Sequence, residues 1–152
     1  MNGAEIHLAL NHVPLFGCAF GALFLLISVL RKHRDLQQAA LWLCLIAALV
    51  AIPTYLTGER AEDRVEGLAG IEESRIEEHE EAALWALIGI ETMGVGAAAA
   101  LYLGQKTGQP PVRVIQVCLI LALLALALVG RTAQLGGQIH HPEVRSGFQA
   151  SP

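Results

Sequence analysis

The sequence predicts an all-α fold, an integral membrane four-helix antiparallel bundle with a short amphipathic surface segment between the second and third spans. Hydrophobic residues make up 54% of the 152 residues, and the mean hydropathy is +0.50, which is too apolar for a soluble domain of this size. Four apolar runs each approach the ~20 residues that carry a helix across the hydrocarbon layer. Spanning helices satisfy their backbone hydrogen bonds internally, and short connections make neighbouring helices antiparallel.

The first two spans are predicted at about 6–30 and 36–56. No basic segment precedes the first span, and the basic cluster 31–34 follows it, so we expect this span to remain in the mature protein rather than to act as a secretory signal. The second span runs into Pro53 and then Gly58, both of which disfavour helix. We therefore expect the second helix to stop in this stretch.

The connection between the second and third spans predicts the surface segment. Its apolar residues Val65, Leu68 and Ile71 recur at about helical spacing among charged residues, which is typical of a short amphipathic helix lying on a membrane. The third span is predicted at about 82–103. No breaker separates it from the charged residues before it, so this helix should extend outward from about residue 73.

The fourth span is predicted at about 112–130. The glycine pair 136–137 should loosen or end the helix that continues from it. We expect one four-helix transmembrane domain over residues 1–145 and a flexible tail over residues 146–152.

Lysine and arginine in the short connections predict the orientation. The turn 31–35 and the turn 104–113 carry five basic residues and a single acid, Asp35, which marks that side of the membrane as cytoplasmic. We therefore predict a multi-pass protein of a bacterial inner membrane with both termini in the periplasm. The opposite side is rich in acids, which indicates a solvated face but would also attract cations or a basic partner. No nucleic-acid partner is expected.

Glu91 predicts a contact between subunits. It lies near the middle of the third span on the bulkier side of that helix, where a charged residue costs about 2.5–3.5 kcal/mol on insertion scales. Burial against a partner subunit, or protonation, would relieve that cost. We expect a homo-oligomer that forms through the Glu91 face.

Histidines cluster at the periplasmic end of the predicted bundle. Counting about 1.5 Å per residue from the cytoplasmic end of each span places His12 and Arg131 at roughly 27–29 Å. The same count places His7 at roughly 35 Å, His79 at roughly 36 Å and His140 at roughly 42 Å. Five of the six histidines lie at this end, since His141 follows His140. One such histidine would be an ordinary interfacial residue, but five together indicate a site.

Two kinds of ligand suit this cluster. Histidine is the usual neutral ligand of haem iron, copper and zinc. A b-type haem needs two imidazoles at similar depth, whereas a bare copper, zinc or iron ion needs three or four ligands, for which His7, His79, His140 and His141 are the candidates. A third alternative is a non-catalytic accessory subunit in which these residues only fix the packing. The sequence contains no HExxH, G-x-S-x-G, P-loop or dinucleotide motif, so an electron carrier or binding protein is favoured over an enzyme.

Four short motifs in a characteristic order carry a family resemblance. They are His12 with Pro14, Thr57-Gly58, HEEAA at 79–83, and LGGQI at 135–139 followed by His140. In this order they resemble a widespread family of small four-helix bacterial membrane proteins of unassigned function. Some members of that family look to be fused to c-type cytochrome domains. By association, the resemblance implies electron transfer at the outer face of the inner membrane. A periplasmic cytochrome or another membrane subunit is the partner this implies.

Our sequence-based hypothesis is therefore a b-type haem held by histidines from two helices. His79 is the first ligand, and the second is His12 for a deep site or His7 for a site at the rim. The haem ring would stand along a stripe of small residues on the third helix, Ala82, Ala86 and Gly89. Arg131 and Arg75 are the candidate partners for the propionates, because guanidinium groups bind carboxylates bidentately.

Overall fold

The computed structural model describes residues 3–62 and 72–141, and all regular structure in that part of the chain is helical. The helices are α1 (Gly3–Leu10), α2 (His12–Arg31), α3 (Arg34–Glu62), α4 (Glu73–Thr107) and α5 (Val112–His140). With α1 and α2 taken as one stretch, four helices are long and apolar enough to cross a membrane. The predicted all-α class with four long apolar helices is confirmed. The predicted surface segment, with Val65, Leu68 and Ile71, and the tail 146–152 lie outside the described residues.

The first predicted span consists of two helices that meet at Asn11. The backbone N–H of Asn11 still donates to the carbonyl of His7 at 2.9 Å, so the helical path is nearly continuous. Pro14 explains the interruption, because a proline ring clashes with the carbonyl four residues earlier, here that of Leu10. The chain loosens at Asn11 and resumes as α2.

The second helix continues past the point where we predicted it to stop. Pro53 lies inside α3, which runs on to Glu62. Hydroxyl groups support the backbone around the proline: Thr54 donates to the carbonyl of Val50 at 2.7 Å and Thr57 donates to that of Pro53 at 2.8 Å. The carbonyl that Pro53 leaves without a backbone donor is that of Leu49, four residues earlier, so these hydroxyl bonds strengthen the helix beside the proline rather than replace the missing bond.

The glycine pair in the last helix does not end it. α5 continues through Gly136 and Gly137 to His140, and Leu135 and Ile139 are both buried. Packing of these two residues outweighs the cost of about 1 kcal/mol that each glycine brings to a helix. The third helix behaves as predicted, since α4 begins at Glu73 and runs unbroken to Thr107.

The helices pack in a closed ring that follows their order in the chain. α3 contacts α2 and α4, α5 contacts α4 and α2, and α1 packs against α3. The interior is lined by small and medium side chains, including Ala40, Ala47, Ala97 and Ala122. Large apolar side chains on the outward faces are exposed, as suits helices surrounded by lipid.

Both termini of the described chain lie at one end of this ring. α1 and α4 begin there, and α3 and α5 finish there, because neighbouring helices are antiparallel. We call it the histidine end, since His7, His79 and His141 belong to it.

Candidate functional site

His7 is held against α3 by a hydrogen bond to the main chain. Its Nδ1 lies 2.9 Å from the carbonyl oxygen of Thr54, and the side chain is half-buried. A carbonyl only accepts, so Nδ1 carries the proton and donates. The ring lies over Gly58, where a Cβ would be 3.4 Å from its Cε1 atom. The neutral imidazole therefore keeps its lone pair on Nε2.

His79 makes the same arrangement with α5. Its Nδ1 lies 3.1 Å from the carbonyl oxygen of Thr132, and the side chain is again half-buried. The ring lies over Gly136, where a Cβ would be only 3.0 Å from its Cε1 atom. As in His7, the proton is on Nδ1 and the lone pair is on Nε2.

The two imidazoles lie at the same end of the bundle. They are anchored on different helices, His7 against α3 and His79 against α5. Asn11 lies one turn after His7, and its Oδ1 is buried without a hydrogen-bond partner in the described part of the chain. Two ligand nitrogens and an unsatisfied polar atom thus share this end of the bundle, and a main-chain carbonyl orients each ring in the way that ligating histidines are usually oriented.

His12 lies elsewhere. It is exposed, and its ring stacks with that of Phe16 at a centroid distance of 6.2 Å, at the start of a row that continues through Phe20 and Phe24. The structure therefore anchors His7, and not His12, on a neighbouring helix at the end of the bundle where His79 lies. His33 lies at the opposite end of the bundle, where its Nδ1 accepts the backbone N–H of Leu36 at 3.3 Å.

The two histidines after the fourth span lie at the end of α5. His140 is the last residue of that helix, and His141 caps it with its backbone N–H donating to the carbonyl of Gly137 at 3.1 Å. The side chain of His141 is exposed. Within residues 3–62 and 72–141, no three histidine, cysteine, aspartate or glutamate side chains lie close enough together to hold a metal ion.

Part of the predicted slot of small residues is filled by the protein itself. Ala86 is in the core, and a Cβ added to Gly89 would meet Leu128 Cδ1 at 2.7 Å, so Gly89 allows α4 and α5 to approach each other. Ala82, nearer the histidine end, lines the groove that Arg131 also lines. A haem along Ala82, Ala86 and Gly89 stays a prediction.

The two arginines differ in their surroundings. Arg75 is paired within α4 with Glu78 at 2.9 Å and with Glu72 at 3.7 Å. Arg131 is exposed and lines a shallow groove between α4 and α5. It directly precedes Thr132, whose carbonyl holds His79.

The residues that seat the histidines were not assigned by sequence reasoning. In the sequence Gly58 marks the expected end of the second helix and belongs to a motif, and Gly136 belongs to the pair expected to loosen the last helix. A signal is present in Thr-x-x-x-Gly, which occurs at 54–58 and 132–136 near the ends of predicted spans, and also at 92–96 in the middle of one. Each of the two copies near a span end supplies a carbonyl and, one turn later, a glycine surface under an imidazole.

Comparison with known proteins identifies one family. A family model described as a predicted membrane protein, DUF2231, matches residues 3–143. This confirms the predicted resemblance to a membrane protein family of unassigned function, while the cytochrome fusions stay a prediction. No curated protein and no solved structure matches the chain.

Proposed function

The chain belongs to the DUF2231 family of predicted membrane proteins, and from that premise we propose that it binds a b-type haem at the histidine end and transfers electrons. The observation that carries the proposal is the matched pair His7 and His79. Each donates Nδ1–H to a main-chain carbonyl and keeps its Nε2 lone pair for a ligand. Of the two second ligands that the sequence left open, we choose His7.

The number of ligands favours haem over a bare ion. Zinc and similar ions take three or four protein ligands, and the described residues offer no such group. Haem iron takes its remaining ligands from the porphyrin, so two imidazoles are enough. A haem with both axial positions filled supplies one-electron chemistry and has no position for a substrate, which favours electron transfer over catalysis.

The protein's own residues would orient the haem. The carbonyls of Thr54 and Thr132 hold the imidazoles in the Nδ1–H tautomer, which raises the basicity of Nε2. Arg131 is the better propionate partner, because the guanidinium group of Arg75 is already bound to Glu72 and Glu78. The buried Oδ1 or amide of Asn11 would contact the edge of the bound group.

Location and partners follow from the same proposal. The basic connections favour a periplasmic location for the histidine end, in a bacterial inner membrane. A haem there would exchange electrons with a periplasmic cytochrome or with another membrane subunit. The acidic residues at the start of α4 would favour a partner with a basic surface.

Absorption spectroscopy of the protein purified from membranes, after expression with haem supplied, tests the proposal. We expect a Soret band and α-band typical of bis-histidine haem. His79→Ala and His7→Ala should each remove that signature, while His33→Ala, at the opposite end, and His12→Ala, beside Phe16, should leave it intact. Purification without haem absorbance would overturn the proposal, and a stoichiometric copper, zinc or iron signal lost in His79→Ala would replace it with metal binding.

A further inference from the structure

The arrangement around each histidine recurs along the chain, with one offset for the histidine and a second offset for the helix that holds it. His79 lies 72 residues after His7, and Thr132 and Gly136 each lie 78 residues after Thr54 and Gly58. Even the hydroxyl bonds repeat, since Thr54 donates to Val50 O at 2.7 Å and Thr132 donates to Leu128 O at 3.1 Å. Val50 and Leu128 are also 78 residues apart. Two unrelated pairs of helices would not be expected to repeat a ring, a carbonyl, a glycine and a hydroxyl bond together.

The offsets extend through the cores of both pairs of helices. Every buried residue of α2 falls on a buried residue of α4 at the offset of 72. Five of the seven buried residues that the structure describes in α3 fall on buried residues of α5 at the offset of 78, and the counterparts of the other two are partly buried. The α2 and α4 pairs are Pro14/Ala86, Cys18/Ile90, Gly21/Met93, Ala22/Gly94, Leu25/Ala97 and Ser28/Ala100. The α3 and α5 pairs are Ala40/Cys118, Cys44/Ala122, Ala47/Ala125, Ala51/Val129 and Thr57/Leu135.

A close contact between two helices repeats at the same two sequence offsets. A Cβ on Gly17 of α2 would meet Ala47 of α3, and a Cβ on Gly89 of α4 would meet Ala125 of α5 along with Leu128. Gly89 follows Gly17 by 72 residues, and Ala125 follows Ala47 by 78. The first pair of helices and the second pair therefore pack in the same register as well as burying the same faces.

The order in which the helices pack around the bundle fits a two-fold axis along the bundle. A half-turn about the bundle axis carries α2 onto α4 and α3 onto α5, and the contacts of α3 with α4 become those of α5 with α2. We infer that the chain is a fused pair of equivalent hairpins, α1–α3 and α4–α5, and that its ligand lies on the pseudo-two-fold axis, with one imidazole from each hairpin. Parallel repeats related by an axis along the membrane normal are an established membrane protein architecture.

This inference, which rests on the proposed ligation, favours one class of ligand. A group on the axis meets the same donor from each hairpin, so it must accept two equivalent imidazoles. A haem would do so and take its other ligands from the porphyrin, whereas a tetrahedral ion would leave half of its positions unfilled. It also assigns Gly58 and Gly136 as positioning residues, because each sets the height of an imidazole above its helix.

Gly58 and Gly136, which lie under the two imidazole rings, give a test with a matched control. In Gly136→Ala the new Cβ would lie 3.0 Å from Cε1 and 3.3 Å from Nδ1 of His79, so the ring must shift by a few tenths of an ångström. In Gly58→Ala the closest distance is 3.4 Å, an ordinary contact. Gly137→Ala is the control, since no atom lies within 4 Å of the added Cβ. We expect Gly136→Ala to change the electron paramagnetic resonance g-values of the haem clearly, Gly58→Ala to change them slightly, and Gly137→Ala not at all.

Equivalence of the two halves is tested with the histidine variants and added imidazole. His7→Ala and His79→Ala should give the same one-histidine spectrum, and free imidazole should restore the bis-imidazole spectrum of both with dissociation constants within about threefold of each other, a difference of about 0.7 kcal/mol. If one variant keeps its second axial ligand while the wild type binds haem normally, the axial placement is wrong and haem binding stands.

A measurement on the protein without haem separates the two proposals. Nitrogen-15 spectra of labelled histidine should place both His7 and His79 in the Nδ1–H tautomer, with Gly136→Ala shifting the resonances of His79 alone. This result would support equivalent hairpins even if no haem were bound. Different tautomers for His7 and His79 would overturn the inference.

Discussion

Replacing Gly17 with alanine should loosen the contact between α2 and α3. The added Cβ would lie 2.6 Å from the Cβ of Ala47 and 3.4 Å from its Cα, whereas carbon atoms pack best at about 3.5–4.0 Å. Neither alanine can rotate out of the way, so the helices must separate by about 1 Å. Overpacking of this kind costs about 1–3 kcal/mol, and the better helix propensity of alanine returns at most about 1 kcal/mol. We expect a net loss of stability of about 1–2 kcal/mol.

Denaturant unfolding in detergent micelles, followed by circular dichroism, measures this loss. Gly130→Ala is the matched control, because Gly130 also lies inside a helix and no atom is within 4 Å of its added Cβ. The double variant Gly17→Ala/Ala47→Gly moves the methyl group to the other helix and should recover most of the stability, so the two changes should couple by about 1–2 kcal/mol. Equal stability of Gly17→Ala and Gly130→Ala, or additive effects in the double variant, would refute the close packing of α2 on α3.

Four further expectations follow from the structure. Gly89→Ala should destabilise less than Gly17→Ala in the same unfolding assay, because the atom it meets at 2.7 Å is the flexible end of Leu128, which can change rotamer. Pro53→Ala should raise the unfolding midpoint, since it restores a backbone donor inside α3; a lower midpoint would argue against it. Reporter fusions should place both termini in the periplasm, and a cytoplasmic C-terminus would contradict the orientation. Glu91→Leu should reduce the assembly size measured by light scattering, because a carboxyl group in the middle of a span is costly unless a second subunit covers that face; an unchanged size and stability would count against a subunit contact there.

Long apolar runs were sufficient to predict the helices but not where they end. The ~20 residues needed to cross a membrane are visible in the sequence, and so is the uninterrupted start of α4 at Glu73. The helix ends expected at Pro53 and Gly136 are wrong because the surroundings outweigh local propensity, which disfavours helix at both positions. At Pro53 threonine hydroxyls bond to neighbouring carbonyls, and at Gly136 the imidazole ring of His79 from α4 packs against the glycine. Both effects depend on structure around the residue rather than on its own preference.

The rise per residue places His7 at about the height of His79 in the membrane, but it does not decide whether His7 or His12 is the second ligand. These two are five residues apart, and a helix turns by about 100° per residue, so they point in directions about 140° apart. Only one can face the bundle interior. The buried Pro14 and Cys18 follow His7 by 7 and 11 residues, which is helical spacing, so they mark the side of His7 as the inner one. The repeated Thr-x-x-x-Gly was equally visible, but its meaning required knowing which helices are neighbours.

The anchors of the two imidazoles are main-chain atoms, and this changes what an alanine scan could detect. Thr54→Ala and Thr132→Ala would leave both carbonyls in place, because the hydroxyls of these threonines bond back to their own helices. Sequence drift at these positions would likewise leave the ring orientation intact, provided that the helix spacing and the glycine one turn later survive. The arrangement could therefore be designed into another antiparallel helical hairpin. It needs a histidine on one helix and, on the other helix, a carbonyl opposite the histidine with a glycine four residues after the residue that supplies the carbonyl.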